Sequence, residues 1–296
     1  MRIFLTGASG FIGSALLPEL LAAGHDVLAL ARSDAAAAAL QAAGATPHRG
    51  DLADAGTLTA GAAAAEAVIH AGFIHDFSRF AESCETDRRA IAALGAGLAE
   101  GAPMLVTSGT ALLAGAGMAL ESQGVPASSH NPRRASEEAA EALAAAGKRV
   151  AVVRLPPSVH GAGDHGFVPL LIRLAREKGL SAFAADGANL WPAVHRSDAA
   201  RLFRLALDHT TPGARFHAVA ERGIPFRLLA GAIAAGLGLP SAGLPAAEAA
   251  AHFGWFAHFA GLDNPADSAW TRERLGWQPD GPGLLQDLAR AGYFDS

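Results

Sequence analysis

The sequence predicts an α/β fold: a doubly wound parallel sheet with a smaller, mainly helical C-terminal lobe. Three observations carry this. The first half alternates short apolar strand patterns with amphipathic helix patterns. The strand patterns are nearly continuous in apolar residues, as burial on both sheet faces requires. After Pro156 the alternation stops, and proline and glycine separate helix-like segments. With 296 residues and 51% hydrophobic content, the chain can fill the core of one or two domains.

The elements follow in order. Arg2–Thr6 reads as a strand and Phe11–Ala23 as an amphipathic helix closed by Gly24. Asp26–Ala31 is a strand; Asp34–Ala43 is a helix with Asp34 at its N-cap and Gly44 at its end. Thr46–Arg49 and Ala67–His70 are short strands, and a long helix lies within Arg79–Glu100. Met104–Thr107 and Arg149–Leu155 read as strands on either side of a helix at Ser136–Ala146. Glycines end these helices and small polar residues open them, as capping predicts. Further on, Phe167–Lys178, Ser197–Asp208, Phe226–Leu237, Pro245–His252 and Leu284–Ala291 read as helices, and Phe216–Val219 as a strand.

Composition narrows the function classes. The net charge of -5 is spread without long runs of one sign, so no basic patch steers the chain to nucleic acid or anionic lipid. Cys84 is the one cysteine, which excludes an internal disulfide and a CxxC metal site and fits a reducing compartment such as the cytoplasm. The most apolar run, Leu228 to Leu239, falls short of the ~20 residues that span a bilayer. No HExxH helix and no GxSxG elbow are present, so neither a metal centre nor a serine hydrolase is expected.

The segment Thr6-Gly7-Ala8-Ser9-Gly10-Phe11-Ile12-Gly13 carries chemistry. It follows a predicted strand and opens a predicted helix, the context in which spaced glycines bind a dinucleotide. Gly7 permits the tight turn, Gly10 admits the diphosphate, and Gly13 lets the helix pack closely. The helix N-terminus then offers free N–H groups to the phosphates. The second strand selects the cofactor. NAD sites place an acid about 20 residues past the glycines, whereas this strand ends in Arg32-Ser33. Arginine suits a 2′-phosphate, so NADP(H) is expected over NAD, with Asp34 as the competing ribose ligand. Residues 1–165 and 191–219 would form the dinucleotide-binding domain, and residues 166–190 and 220–296 a lobe for a small-molecule substrate.

Taken together, these residues resemble the extended short-chain dehydrogenase/reductase family, a Rossmann-fold family. The spacing Thr-Gly-x-x-Gly-x-x-Gly is its version of the fingerprint. Gly50-Asp51-Leu52 matches the loop in which Asp51 and Leu52 would border adenine. Val68-Ile69-His70-Ala71-Gly72, followed by Phe73, matches strand four and the turn beside the cofactor. Val106-Thr107-Ser108-Gly109-Thr110 matches the end of strand five, where Ser108 would hold a substrate carbonyl. Arg154 to Gly161 matches the loop near nicotinamide, placing Pro156, Ser158 and Val159 at the cofactor. Val194-His195-Arg196-Ser197-Asp198 matches the strand returning to the first domain, and Thr271 to Pro279 a C-terminal signature. The resemblance covers nearly the whole chain and implies a homodimer through helices within Arg79–Glu100 and Arg133–Ala146.

One departure outweighs the matches. The family's Tyr-x-x-x-Lys proton donor falls on Arg133 and Glu137, so the chain is an atypical member. Arg133 and Glu137 lie four apart on a helix face and are expected to pair. The one tyrosine, Tyr293, can serve only if the tail folds back. A replacement acid is needed, and Ser108, His75 and His160 are the candidates. An iminium substrate would need no donor. The expected function is an NADP(H)-dependent oxidoreductase of a small, fairly apolar carbonyl or imine. The alternatives are a non-catalytic NADP-binding sensor or scaffold and, third, a sugar epimerase or dehydratase. The aromatic stretch His252 to Phe259 is expected to pack the lobe more than to line a pocket.

Overall fold

The computed structural model describes residues 1–115, 117–290 and 292–295. In chain order its elements are β1 (Arg2–Thr6), α1 (Gly13–Ala22), β2 (Asp26–Ala31), α2 (Asp34–Ala42), β3 (Thr46–Arg49), α3 (Ala55–Ala63), β4 (Ala67–His70) and α4 (Phe80–Gly97). Then come β5 (Met104–Gly109), α5 (Arg134–Ala145), β6 (Val150–Leu155), β7 (Ser158–His160), α6 (Phe167–Lys178), β8 (Ser181–Ala184), β9 (Leu190–His195) and α7 (Arg196–Asp208). The chain ends with β10 (Arg215–His217), β11 (Glu221–Pro225), α8 (Phe226–Leu237), β12 (Ser241–Leu244), α9 (Ala246–Phe253), α10 (Ala257–Ala260), α11 (Ala269–Leu275) and α12 (Leu284–Leu288).

Seven strands form one parallel sheet in the order β10-β6-β5-β4-β1-β2-β3. The order reverses between β1 and β4, the switch point where such sheets open a ligand crevice. One core layer, with Leu16, Leu20, Phe203 and Trp277, covers one face; a second, with Phe4, Leu58, Ile91 and Leu94, covers the other. A separate core around Trp191, Phe226, Phe253 and Phe256 forms the C-terminal lobe. No helix among the described residues is long and apolar enough to cross a membrane.

The doubly wound sheet is as predicted, with local corrections. The mainly helical lobe also carries two small sheets, β11-β9-β7 and β12-β8. These strands are short and carry Pro192, Gly223, Pro225 and Gly243, which hide strand patterns. Helix α3 was not predicted, because its Gly- and Thr-rich sequence shows little amphipathicity; Asp54 caps it by accepting from Gly56 N and Thr57 N. Ser33, not Asp34, caps α2, accepting from Ala36 N at 3.1 Å. The predicted strand Phe216–Val219 is shorter and shifted, at Arg215–His217. The last helix ends at Leu288; its predicted end, Ala291, lies outside the described residues.

Candidate active site

The C-terminal ends of β1, β2, β4 and β5 bring the glycine loop, Arg32-Ser33, the loop after His70 and Thr107-Ser108 to one sheet edge. Gly7 has φ +74, and a Cβ there would stand 2.6 Å from Ala71 O and Gly72 N. At Gly13 a Cβ would lie 2.0 Å from Gly7 O. Helix α1 starts at Gly13 without a side-chain cap; Ser14 N and Leu16 N donate to Gly10 O and Ile12 O, while the N–H groups of Phe11, Ile12 and Gly13 have no backbone partner among the described residues and can meet an anion. Ser9 and Gly10 are exposed, and Phe11 and Ile12 half-buried, at that opening. This cradle fits a dinucleotide diphosphate. A Gly13→Ala variant must displace backbone, so we expect a loss of roughly 1–3 kcal/mol of stability. Cofactor titration should show weakened binding at temperatures where the variant is still folded.

After β2 comes the segment expected to border adenosine. Arg32 is exposed and has no hydrogen bond or ion pair among the described residues. Its neighbour across the β2–β3 pairing, Arg49, donates to Ala31 O at 3.1 Å and pairs with Asp34 at 3.1 Å. Arg32 and Arg49 therefore stand together at the end of β2, with the exposed Asp34 carboxylate paired to Arg49. Arg49 escaped the sequence reading, since only strand register shows it beside Ala31. Asp51 accepts from Ala53 N, and Leu52 approaches Gly72.

Behind this edge runs a buried polar chain. Gly72 N donates to Thr6 Oγ1, which lies 2.8 Å from His70 Nδ1; His70 Nε2 lies 2.9 Å from Asp87 Oδ1. Asp87 Oδ2 accepts from Ser136 Oγ and from Arg133 Nη1 at 2.6 Å. Burial pushes the Asp87 carboxyl up, but Arg133 and His70 outweigh it and hold the pKa well below the usual carboxylate range. Arg133 Nη2 also donates to Thr107 O, and the guanidinium lies 4.0 Å over the Phe73 ring. Three of its five N–H donors are thus engaged within the chain.

The expected Arg133–Glu137 pair does not form. One turn along α5, Glu137 is 1% exposed and takes two hydrogen bonds from Arg154, itself fully buried: 2.8 Å from Nε and 2.6 Å from Nη2. Arg133 stands just before α5 and turns to Asp87 on α4, while Glu137 turns to Arg154 on β6, so the buried Glu137 does not replace a cleft lysine.

The three catalytic candidates part company. Ser108 is buried, and its hydroxyl donates to Glu137 Oε1 at 2.7 Å, so its proton is committed away from any substrate. His160 is buried against Asp287 Oδ2 at 2.7 Å, on the last helix. His75 stays at the cleft mouth, its ring 5.1 Å from Phe73. Surrounding protein, and then the Arg133 charge, lower its pKa. Tyr293 does fold back, yet onto Gly161 N and Asp164 Oδ2. Burial and the Asp164 charge raise its pKa, the opposite of what a proton donor needs. In the loop matched to the nicotinamide end, Pro156 and Ser158 are buried and Val159 half-buried; Ser158 Oγ has no partner among the described residues.

Aromatic side chains from both lobes meet in one cluster. Phe77, in a 3-10 turn before α4, stacks on Phe80 at 5.6 Å and on Trp255 at 5.0 Å. Phe259 and Phe167 also pack on Phe77. The stretch from His252 to Phe259 thus serves both purposes: Phe253 and Phe256 are buried in the lobe, while Trp255 is 56% exposed and faces Phe77.

A profile of the NAD dependent epimerase/dehydratase family matches residues 3–219. An uncharacterized Schizosaccharomyces pombe protein is 48% identical over 99% of this chain and 100% of its own length. The 2-alkyl-3-oxoalkanoate reductase of Stenotrophomonas maltophilia is 32% identical over 72% of this chain and 67% of its own. In fold, the dTDP-glucose 4,6-dehydratase DesIV of Streptomyces venezuelae, solved with NAD and TYD, superposes with a TM-score of 0.76 over 100% of this chain and 97% of that one, at 22% identity. Sequence, sheet order and glycine cradle agree, and the chain belongs to the NAD dependent epimerase/dehydratase family, within the extended short-chain dehydrogenases/reductases.

Proposed function

We propose that the protein is an NADP(H)-dependent oxidoreductase of a small, fairly apolar carbonyl compound, with Arg133 holding the reacting oxygen. The single observation that carries this reading is the guanidinium fixed at the sheet edge between Asp87, Thr107 O and Phe73. The family's cofactor is NAD or NADP. When bound, its reduced nicotinamide supplies a hydride. Arg133 presents a guanidinium cation, which stabilises an oxygen that gains negative charge. It gives no attraction to an iminium, whose positive charge it opposes to the extent that Asp87 does not balance it. Of the two substrate classes, this sign favours the carbonyl. Phe77, Phe80, Trp255 and Phe259 offer apolar contact for the rest of the molecule. The proton that the reduced oxygen gains comes from water; His75, exposed beside Phe73, relays it by giving its ring N–H to that oxygen while water protonates its other ring nitrogen. The names of two relatives, a 2-alkyl-3-oxoalkanoate reductase and a ketoreductase of Stigmatella aurantiaca that is 46% identical over 24% of this chain, point the same way.

The test follows NADPH consumption over ketones, 3-oxo acids, aldehydes and imines. Turnover of carbonyls with none of imines is the expected result. Tight NADPH binding with no consumption anywhere would overturn the enzyme reading in favour of a sensor. Cofactor choice has its own prediction. Arg32→Ala should raise the Kd of NADPH about 10- to 100-fold, the worth of a charge-assisted contact, and leave NADH unchanged. Equal loss for both cofactors would contradict the 2′-phosphate assignment.

A further inference from the structure

We infer that Arg196 is a cofactor-binding residue that reaches from the returning segment over the glycine loop to the diphosphate. The proposal rests on dinucleotide binding and not on the carbonyl reading.

Arg196 is the first residue of α7, directly after β9. Helices α1 and α7 lie side by side, tied by Arg204 Nε to Glu19 Oε1 at 2.7 Å. Their N-terminal ends lie close together. There the Arg196 guanidinium carbon lies 5.4 Å from the ring centroid of Phe11, the residue after Gly10. His165, from the loop after β7, meets the same ring edge-on at 5.7 Å.

Its electrostatic setting is the wrong one for a structural arginine. A cation in the first turn of a helix faces the positive end of the helix dipole. Such a residue is normally offset by an acid, yet Arg196 makes no hydrogen bond or ion pair among the described residues. The candidate acids are engaged elsewhere. Asp198 is buried, accepting from Gly281 N and Asp280 N and pairing with Arg201. Asp164 accepts from Gly166 N and Tyr293 OH.

Its stem is nonetheless placed. Gly161 has φ +143, and a Cβ there would lie 3.1 Å from Arg196 Cγ and Cδ. A glycine thus leaves room for the arm to lie across the loop toward Phe11. A half-buried, unpaired guanidinium aimed at the anion-binding loop lacks a counter-charge, and the ligand diphosphate supplies one.

The experiment measures Kd by fluorescence titration of the full chain with NADPH, NADH and adenosine 2′-phosphate. The variants are Arg196→Met, which keeps the stem and removes the charge, and Arg196→Lys. R196M should weaken NADPH and NADH alike, about 10- to 100-fold, with R196K recovering part of the loss. Adenosine 2′-phosphate, which has no diphosphate, should bind all three proteins equally. Unchanged NADPH and NADH affinity in R196M would overturn the assignment, as would an equal loss for adenosine 2′-phosphate. Failure of the unaltered protein to bind either dinucleotide would instead remove the cofactor reading itself, and this inference with it.

Discussion

Arg133→Met should lower kcat/KM for the carbonyl substrate about 10²- to 10³-fold, the usual effect of removing one donor to a developing oxyanion. The loss should fall on kcat, because the contact strengthens as charge builds on oxygen. Lysine should not rescue it, since a single ammonium cannot replace contacts to Asp87, Ser136 and Thr107 O while facing the substrate. The same substitution has a stability cost. Asp87 is buried and would lose its main counter-charge. Its depressed pKa contributes stability that is present above the ordinary carboxylate range and lost as pH falls through the folded value. Without Arg133, burial pushes that pKa upward, so acid unfolding should begin closer to neutral pH. The double variant R133M/D87N separates the two effects. It should regain stability while staying inactive, and recovery of activity would show that Arg133 only balances Asp87.

The largest expected stability effect belongs to Glu137. Changing it to alanine leaves the fully buried Arg154 charge without its carboxylate and Ser108 without its acceptor. Breaking one side of a buried pair costs about 3–5 kcal/mol. That is a large share of the ~5–15 kcal/mol that holds a typical domain folded. The loss would spread to His217, whose Nε2 lies 3.3 Å from Arg154. Burial, and then Arg154, already lower the His217 pKa to about 4. Urea unfolding of E137A should show a much lower midpoint at unchanged slope. A loss under 1 kcal/mol would mean that solvent reaches the pair.

How much of this was legible follows from distance along the chain. The glycine loop is contiguous, so Gly7, Gly10 and Gly13 declare themselves in eight residues. The strands β1, β2, β4, β5 and β6 announce themselves by apolar runs. The side-chain network does not. Asp87 and Arg133 stand 46 residues apart, and Glu137 meets Arg154 only through the packing of α5 on β6. Spacing within one helix suggested an Arg133–Glu137 pair, but the partners come from other layers. Ser108 was placed on the right strand, but its rotation toward α5 depends on Glu137. Arg49 became visible through β-register alone, whereas Asp54 was a readable cap for a helix that amphipathicity concealed.

The tail that carries Tyr293 to Gly161 has a consequence for synthesis. Gly281 N closes onto Asp198, Asp287 onto His160, and Tyr293 onto Gly161 and Asp164, each across 83 or more residues. Contacts of such separation are slow to form. On the ribosome, the segment bearing Arg196 and His165 must therefore wait, with its cleft partly built, until Gly281, Asp287 and Tyr293 have emerged.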